Sequence, residues 1–192
     1  VTGVTNPYVV SGLTQNTTYQ YYVKADCGGS GTSTWAGPFS FTTLCSAISS
    51  FPYTESFGST FPSCWSASEA VAGASYHWAT VTADASHGVS GPQAGTNFMA
   101  LNVYSASATY NPYYLTTPSF TLDATIKQVK YYYYLGSAGN TLSPAPLTVQ
   151  ISTDNGTTWT DLYVHTTANS TFSSTSALTG WIQNTVALTA YV

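Results

Sequence analysis

The sequence predicts an all-β chain of two sandwich units, and three observations predict it. Tyr, Thr and Val, which favour strands, alternate in short runs with turn-forming Gly, Asn, Ser and Pro. No apolar run follows the 3.6-residue period of a helix. Aromatics make up 15% of the chain, with 16 Tyr and 5 Trp, which is ample surface to bury, while charged residues make up only 5%, against about 25% in an ordinary soluble domain. The expected surface is neutral and rich in hydroxyls. It offers few sites to trypsin-like proteases, which suits a protein outside the cell.

Residues 1–44 read as strands in order. Pro7 to Val10 is short and apolar, Thr18 to Ala25 reads TYQYYVKA, and Trp35 to Thr43 reads WAGPFSFTT. Ahead of the second run stands an L-x-x-x-T-x-Y arrangement formed by Leu13, Thr17 and Tyr19. It resembles the tyrosine corner of a fibronectin type III domain, in which the Tyr hydroxyl bonds back to nearby backbone between strands E and F. The closing stretch from Ser33 to Thr43 resembles the last strand of that domain. The resemblance covers strands E, F and G only, and implies a partial sandwich whose strands A to D precede Val1 or come from another copy of the chain.

Residues 45–192 form the second expected unit. Its predicted first strand carries Phe51-Pro52-Tyr53-Thr54-Glu55-Ser56-Phe57, followed by Trp65, Trp78 and a Gly/Ser/Ala-rich loop from Ala83 to Gly95. Further strands are predicted at Phe98–Tyr104, Tyr113–Leu122, Ile126–Leu135, Leu147–Ser152, Thr158–His165 and Trp181–Leu188. Many short strands without helical periodicity indicate a sandwich or jelly roll. An ordered set resembles the cleaved-adhesin and choice-of-anchor J domains, jelly rolls related in shape to MAM domains. Its carriers are Glu55, Phe57, Pro62, Trp65, Trp78, Leu115, Thr117, Pro118, Ser152, Asp154, Gly156, Trp159 and Trp181. That family continues for another strand or two, so Val192 is expected to fall short of the end of the domain. Its pairing with fibronectin domains implies a bacterial cell-surface protein exported by type IX secretion.

Charge narrows the partners. The formal net charge is −4, there is no arginine, and the cations besides His are Lys24, Lys127 and Lys130. Phosphate binding needs clustered Lys and Arg, so nucleic acid is not an expected partner, and neither is an anionic membrane surface. No apolar run approaches the roughly 20 residues of a membrane span. The expected partners are neighbouring β-sandwich domains of the same chain, further copies of it, and surface glycans.

Few residues point to chemistry. Ser152, Asp154, Gly156 and Trp159 match the Asp-box S-x-D-x-G-x-T-W, a hairpin turn in which Asp154 accepts backbone N–H groups, Gly156 takes positive φ and Trp159 packs beneath. The 7 carboxylates show no pairing of the kind glycoside hydrolysis needs. Glu55, between Tyr53 and Phe57, is a candidate ligand for a structural calcium of the kind such jelly rolls can hold, the simpler alternative being a locally hydrogen-bonded carboxylate. His77, His87 and His165 show no metal-ligand spacing, and no G-x-S-x-G elbow accompanies them. Cys45 and Cys64 flank the first predicted strand and are expected to pair, which leaves Cys27 for a partner upstream; the alternative is three free thiols. Tyr131 to Tyr134 form a tetrad. Two should enter the core, and Tyr132 and Tyr134 on the opposite face form a candidate glycan or interdomain platform, with Tyr110, Tyr113 and Tyr114 as further candidates. N-x-S/T triplets begin at Asn16, Asn155 and Asn169 and are read as chance in so Ser/Thr-rich a chain.

Taken together, the sequence favours a non-catalytic structural or adhesive module of a large secreted surface protein. The alternative is a carbohydrate-binding accessory domain of an exported hydrolase or protease. No catalytic residue, metal site or cofactor is assigned.

Overall fold

The computed structural model describes residues 4–5, 7–74, 76–102, 112–126, 128–136, 147–166 and 180–192. Among them 36% lie in strands and bridges and 4% in helix, so the chain is all-β. Ten strands follow one another: β1 (Thr18–Val23), β2 (Ala36–Thr42), β3 (Ser66–Glu69), β4 (Ala79–Val81), β5 (Phe98–Ala100), β6 (Tyr113–Thr116), β7 (Gln128–Tyr133), β8 (Leu147–Ile151), β9 (Thr160–His165) and β10 (Ile182–Ala187). They pair antiparallel and two by two: β1 with β2, β3 with β6, β4 with β5, β7 with β10 and β8 with β9. The chain divides into two compact units, Val1–Ser46 and Ala47–Val192.

In the first unit the local sequence sets a corner and then a hairpin. The Thr14 N–H donates to Tyr19 Oη at 2.9 Å, and the Thr17 hydroxyl donates to the Gln15 carbonyl at 3.0 Å. Leu13 is half-buried beside them. Thr43 closes the corner: its Oγ1 accepts from the Thr17 N–H at 3.0 Å and donates to the Thr14 carbonyl at 2.6 Å. From this corner β1 runs antiparallel to β2 with Tyr19 opposite Phe41 and Tyr21 opposite Phe39. Because side chains alternate along a strand, these four rings share one face, with centroids 5.9 Å (Tyr19–Phe41), 6.1 Å (Tyr21–Phe41) and 5.4 Å (Tyr21–Phe39) apart. Thr18 and Thr42 hydroxyls meet on the opposite face at 2.8 Å, Gln20 faces Ser40, and Tyr22, 53% exposed, stands at the bulge that follows.

The second unit draws its core from distant strands. Val89, Phe98, Tyr133, Val186 and Leu188 are buried, and His165 is 1% exposed. Tyr131 and Tyr133 are the members of the tetrad that turn inward, Tyr133 fully and Tyr131 by half, while Tyr132 stays exposed. Phe120 packs against Phe51 and Tyr53 at 6.2 and 5.5 Å, and Ile48 forms a parallel bridge with it.

Several elements depart from expectation. Pro7–Val10 forms no strand, and Val9 is 79% exposed with no ladder partner among the described residues. Phe51–Phe57 is irregular as well. Phe57 takes a left-handed φ of 54°, which no β-ladder accepts, and its N–H is held by the Glu55 carboxylate at 2.7 Å instead of a neighbouring strand. Conversely, β3 and β4 arise from Ser66–Glu69 and Ala79–Val81, stretches of small residues whose alternation is weak. Residues 103–104 of the expected Phe98–Tyr104 strand, Tyr110, Lys127 and the Asn169 triplet lie outside the described residues.

Cys45 and Cys64 form a disulfide, while Cys27 is an exposed free thiol. Closing a loop of roughly 20 residues stabilises a fold by about 3 kcal/mol in the chain-entropy account. Alkylation of the unreduced protein should therefore add one label, on Cys27, and three after reduction under denaturing conditions. The paired Cys45→Ser, Cys64→Ser variant should lose about 3 kcal/mol in denaturant unfolding.

Candidate functional site

The Asp-box turn joins β8 to β9. Asn155 and Gly156 occupy left-handed conformations, φ 58° and 83°, which Asn tolerates and Gly adopts freely. Asp154 organises the turn. Its Oδ1 accepts the Thr158 N–H at 2.9 Å and the Ser152 hydroxyl at 2.8 Å, and its Oδ2 accepts the Thr158 hydroxyl at 2.6 Å. The Ser152 hydroxyl oxygen accepts the Gly156 N–H at 2.7 Å, and Trp159 Nε1–H donates to the Gly156 carbonyl at 3.1 Å. Led by the Thr158 hydroxyl, these donors pull the carboxyl of Asp154 down to about 2. Every Asp154 oxygen contact serves the turn, which makes it a structural element with no group left aimed at a substrate.

A second acidic cluster sits in the 3-10 turn Ala85–His87. Asp84 Oδ1 accepts the Ser86 hydroxyl at 2.6 Å, Asp84 Oδ2 lies 2.7 Å from His87 Nδ1, and the Ser86 oxygen lies 3.1 Å from that same nitrogen. The Ser86 bond, more than His87, holds the Asp84 carboxyl below its ordinary value. A catalytic relay needs the imidazole to bridge, one nitrogen to the acid and the other to the serine. Here both neighbours meet Nδ1, so the imidazole does not form that bridge. The cluster is a set of side-chain bonds around the 3-10 turn, and the D-x-S-H run from Asp84 to His87 was its available signal.

Glu55 spends its oxygens on the Phe57 N–H and on the Tyr53 hydroxyl, at 3.2 Å. Tyr53 Oη also accepts from Trp65 Nε1–H at 3.3 Å, and burial raises its phenol. Glu69 is used similarly: its carboxylate holds the Gly73 and Ala74 N–H groups and His77 Nδ1. Among the described residues no group of three or more His, Cys, Asp or Glu is placed to hold a metal ion.

The candidate platform tyrosines have different partners. Tyr132, 40% exposed, donates to Gln183 Oε1 at 2.8 Å across the β7–β10 pair. Tyr134 reaches the 84–91 loop, donating to the Gly88 carbonyl at 3.0 Å. Its ring meets Trp181 edge-on at 5.6 Å, and Trp181 Nε1–H donates to the Gly91 carbonyl at 3.0 Å. Gly136 lets this strand end approach the loop, since a Cβ there would stand 2.6 Å from the His87 carbonyl. The result is a cleft of about 170 Å³ between the Gly88–Pro92 loop, Tyr134, Gly180 and Trp181. Tyr114 is exposed and Tyr113 half-buried on β6.

Among the described residues the most enclosed polar side chain is His165, which nothing in the sequence separates from the other histidines. Asn184 Nδ2–H donates to Tyr131 Oη at 2.7 Å, and the Tyr131 hydroxyl meets His165 Nε2 at 2.6 Å. Tyr133 and Tyr163 enclose the imidazole at 4.4 and 4.8 Å. Burial lowers the pKa of His165 and raises that of Tyr131.

The chain matches no protein-family model, no curated protein and no solved structure. The site must therefore be read from its own geometry.

Two pH effects follow. The folded pKa of Asp154 lies below the ordinary 3.8, so its stabilising effect is complete above about 4 and is lost as pH falls toward 2. Asp154→Asn should lower the unfolding midpoint at pH 5 and flatten its dependence between those limits. For His165 the folded pKa lies below 6.5. The unfolded chain takes up the proton first, so stability is intact above 6.5 and falls as the pH is lowered. His165→Gln, which keeps an acceptor, should remove that part of the slope in denaturant unfolding at pH 5 to 8.

Proposed function

We propose that the chain is a non-catalytic structural or adhesive module of a large secreted cell-surface protein. The observation that carries this reading is the two-faced β1–β2 sheet. One face carries Thr18, Gln20, Ser40 and Thr42, and the other is an aromatic ladder on which Tyr21, Phe39 and Phe41 remain 47%, 45% and 40% exposed. Covering the remaining half of one such ring is worth about 1 kcal/mol. A two-stranded sheet is at best marginally stable alone, and this alternation is that of a sheet made to pack on another sheet. Further β-structure over the ladder is what the fibronectin-like corner at Leu13, Thr17 and Tyr19 also implies. The second unit supports the same reading, because its polar side chains at the Asp-box, at Glu55 and at Glu69 are spent on holding turns.

The resemblances to fibronectin type III and cleaved-adhesin domains make neighbouring sandwich domains, of the same chain or of further copies, the natural partners. They support a location at the bacterial surface. A second reading, a carbohydrate-binding accessory domain, is favoured by the aromatic cleft beside Tyr134.

Amide exchange tests the structural reading. In the protein isolated from its source, the amides of residues 19–22 and 39–41 should exchange at least about tenfold more slowly than in residues 1–192 alone at low concentration. If a second copy provides the cover, the protection should appear with rising concentration and vanish in Tyr21→Ser and Phe41→Ser. Equal and unprotected exchange in all of these, or turnover of glycoside, peptide or ester substrates by the chain, would overturn the reading.

A further inference from the structure

We infer that the cleft beside Tyr134 is a binding site for one neutral sugar ring of the hexose type. The inference deepens the carbohydrate-binding reading and leaves the structural one standing if it fails. The first argument is chemical. Among the described residues the cleft is lined by Tyr134, Trp181, Pro92, Ser90 and glycine-rich backbone, and by no charged side chain. Most of its exposed lining is polar, hydroxyl and peptide groups that serve a sugar's hydroxyls, and the rings supply a smaller apolar share for its C–H face. A phosphorylated or carboxylated ligand would find no cation among the described lining residues.

The second argument is rigidity. Trp181 is fixed by its bond to the Gly91 carbonyl and by edge-on contacts with Phe98 at 5.2 Å and Tyr134 at 5.6 Å. The opposite wall, the Gly88–Pro92 loop, is tied at both ends, by Tyr134 Oη to Gly88 and by Trp181 Nε1 to Gly91. A site that is already ordered loses little entropy when a ligand enters. Ser90 stands exposed in the middle of that tethered loop, and its hydroxyl makes no hydrogen bond among the described residues. It is the side chain available to a ligand hydroxyl.

The third argument is size. About 170 Å³ is well below the roughly 300–1,000 Å³ of sites for drug-sized ligands. One ring fits, and an extended oligosaccharide would have to continue outside. Affinity for so small a ligand should be on the order of millimolar.

Gly180 supplies a clean test. A Cβ added there meets no atom within 4 Å, so Gly180→Leu should fill the cleft without straining the backbone. The ¹⁵N-labelled chain would be titrated with glucose, galactose, mannose and N-acetylglucosamine to about 100 mM, well above the expected millimolar range. The proposal expects at least one sugar to shift the Trp181 indole N–H and the Gly91 amide saturably. Gly180→Leu should weaken that binding about tenfold or more with an unchanged unfolding midpoint, and Tyr132→Ala should leave it intact. Should Gly180→Leu alter the midpoint, Ser90→Phe, at an exposed position on the opposite wall, replaces it as the blocking variant. Saturable binding that survives the blocking variant, or that is lost in Tyr132→Ala, would place the sugar elsewhere and overturn the cleft assignment. No saturable shift with any of the four sugars would overturn the carbohydrate reading as well, with the amide-exchange test of the β1–β2 ladder unaffected.

Discussion

The second unit depends on an imidazole kept out of water. His165 Nε2 and the Tyr131 hydroxyl share a hydrogen bond, and Tyr131 accepts one from Asn184. The three residues stand on β9, β7 and β10, strands of two different two-stranded ladders. The chain of bonds therefore joins ladders that backbone hydrogen bonding leaves separate. Asn184 donates from Nδ2, and the Tyr131 hydroxyl and His165 Nε2 share the second bond. Burial at 1% exposure disfavours the charged form of the imidazole. A polar network of this kind specifies one arrangement when satisfied and is costly when it is not.

The same economy of charge runs through the rest of the unit. Carboxylates are few, and three of them accept turn N–H groups: Asp154 between β8 and β9, Glu69 at residues 73 and 74 and Glu55 at Phe57. In a sheet protein with little helix, turns carry most of the unpaired backbone N–H groups. Acidic side chains that accept those groups do the work that capping residues do in helices. This explains how so weakly charged a chain places several of its carboxylates in structure.

Legibility in the sequence followed the range of the interaction. The corner at Leu13, Thr17 and Tyr19 and the turn at Ser152 to Trp159 are built from neighbours within a few residues, so their residue types announce them. Strands with strong alternation, such as β1, β2 and β7, were equally plain. The strands of small residues, β3 and β4, were not, because Ser and Ala carry little pattern and the ladder is set by partners 44 to 50 positions away for β3 and 17 to 21 for β4. The segment around Glu55 looked like a strand because its apolar residues alternate, yet a left-handed Phe57 and a side-chain acceptor for its N–H end any ladder there. His165 and the Tyr134–Trp181 cleft join residues far apart in the chain, and no local signal encodes them.

The tyrosine tetrad shows how one strand can serve both the core and the surface. Tyr131 and Tyr133 turn toward His165, where one phenol bonds the imidazole and the other ring forms a wall. Tyr132 points the other way and bonds Gln183 on the neighbouring strand. Tyr134, just beyond the end of β7, is released from the ladder and can reach the 84–91 loop. The same run thus fixes the interior and, one residue past its last ladder bond, orders the wall of the cleft. If the cleft binds a sugar, its geometry is inherited from the core through two peptide bonds, Tyr133 to Tyr134 on one side and Trp181 to Ile182 on the other. Phe98, buried against Trp181, ties that second side to the same interior. Rigid backing of this kind is what a shallow, uncharged site requires, since it has no strong electrostatic contact with which to offset the ordering of a loose one.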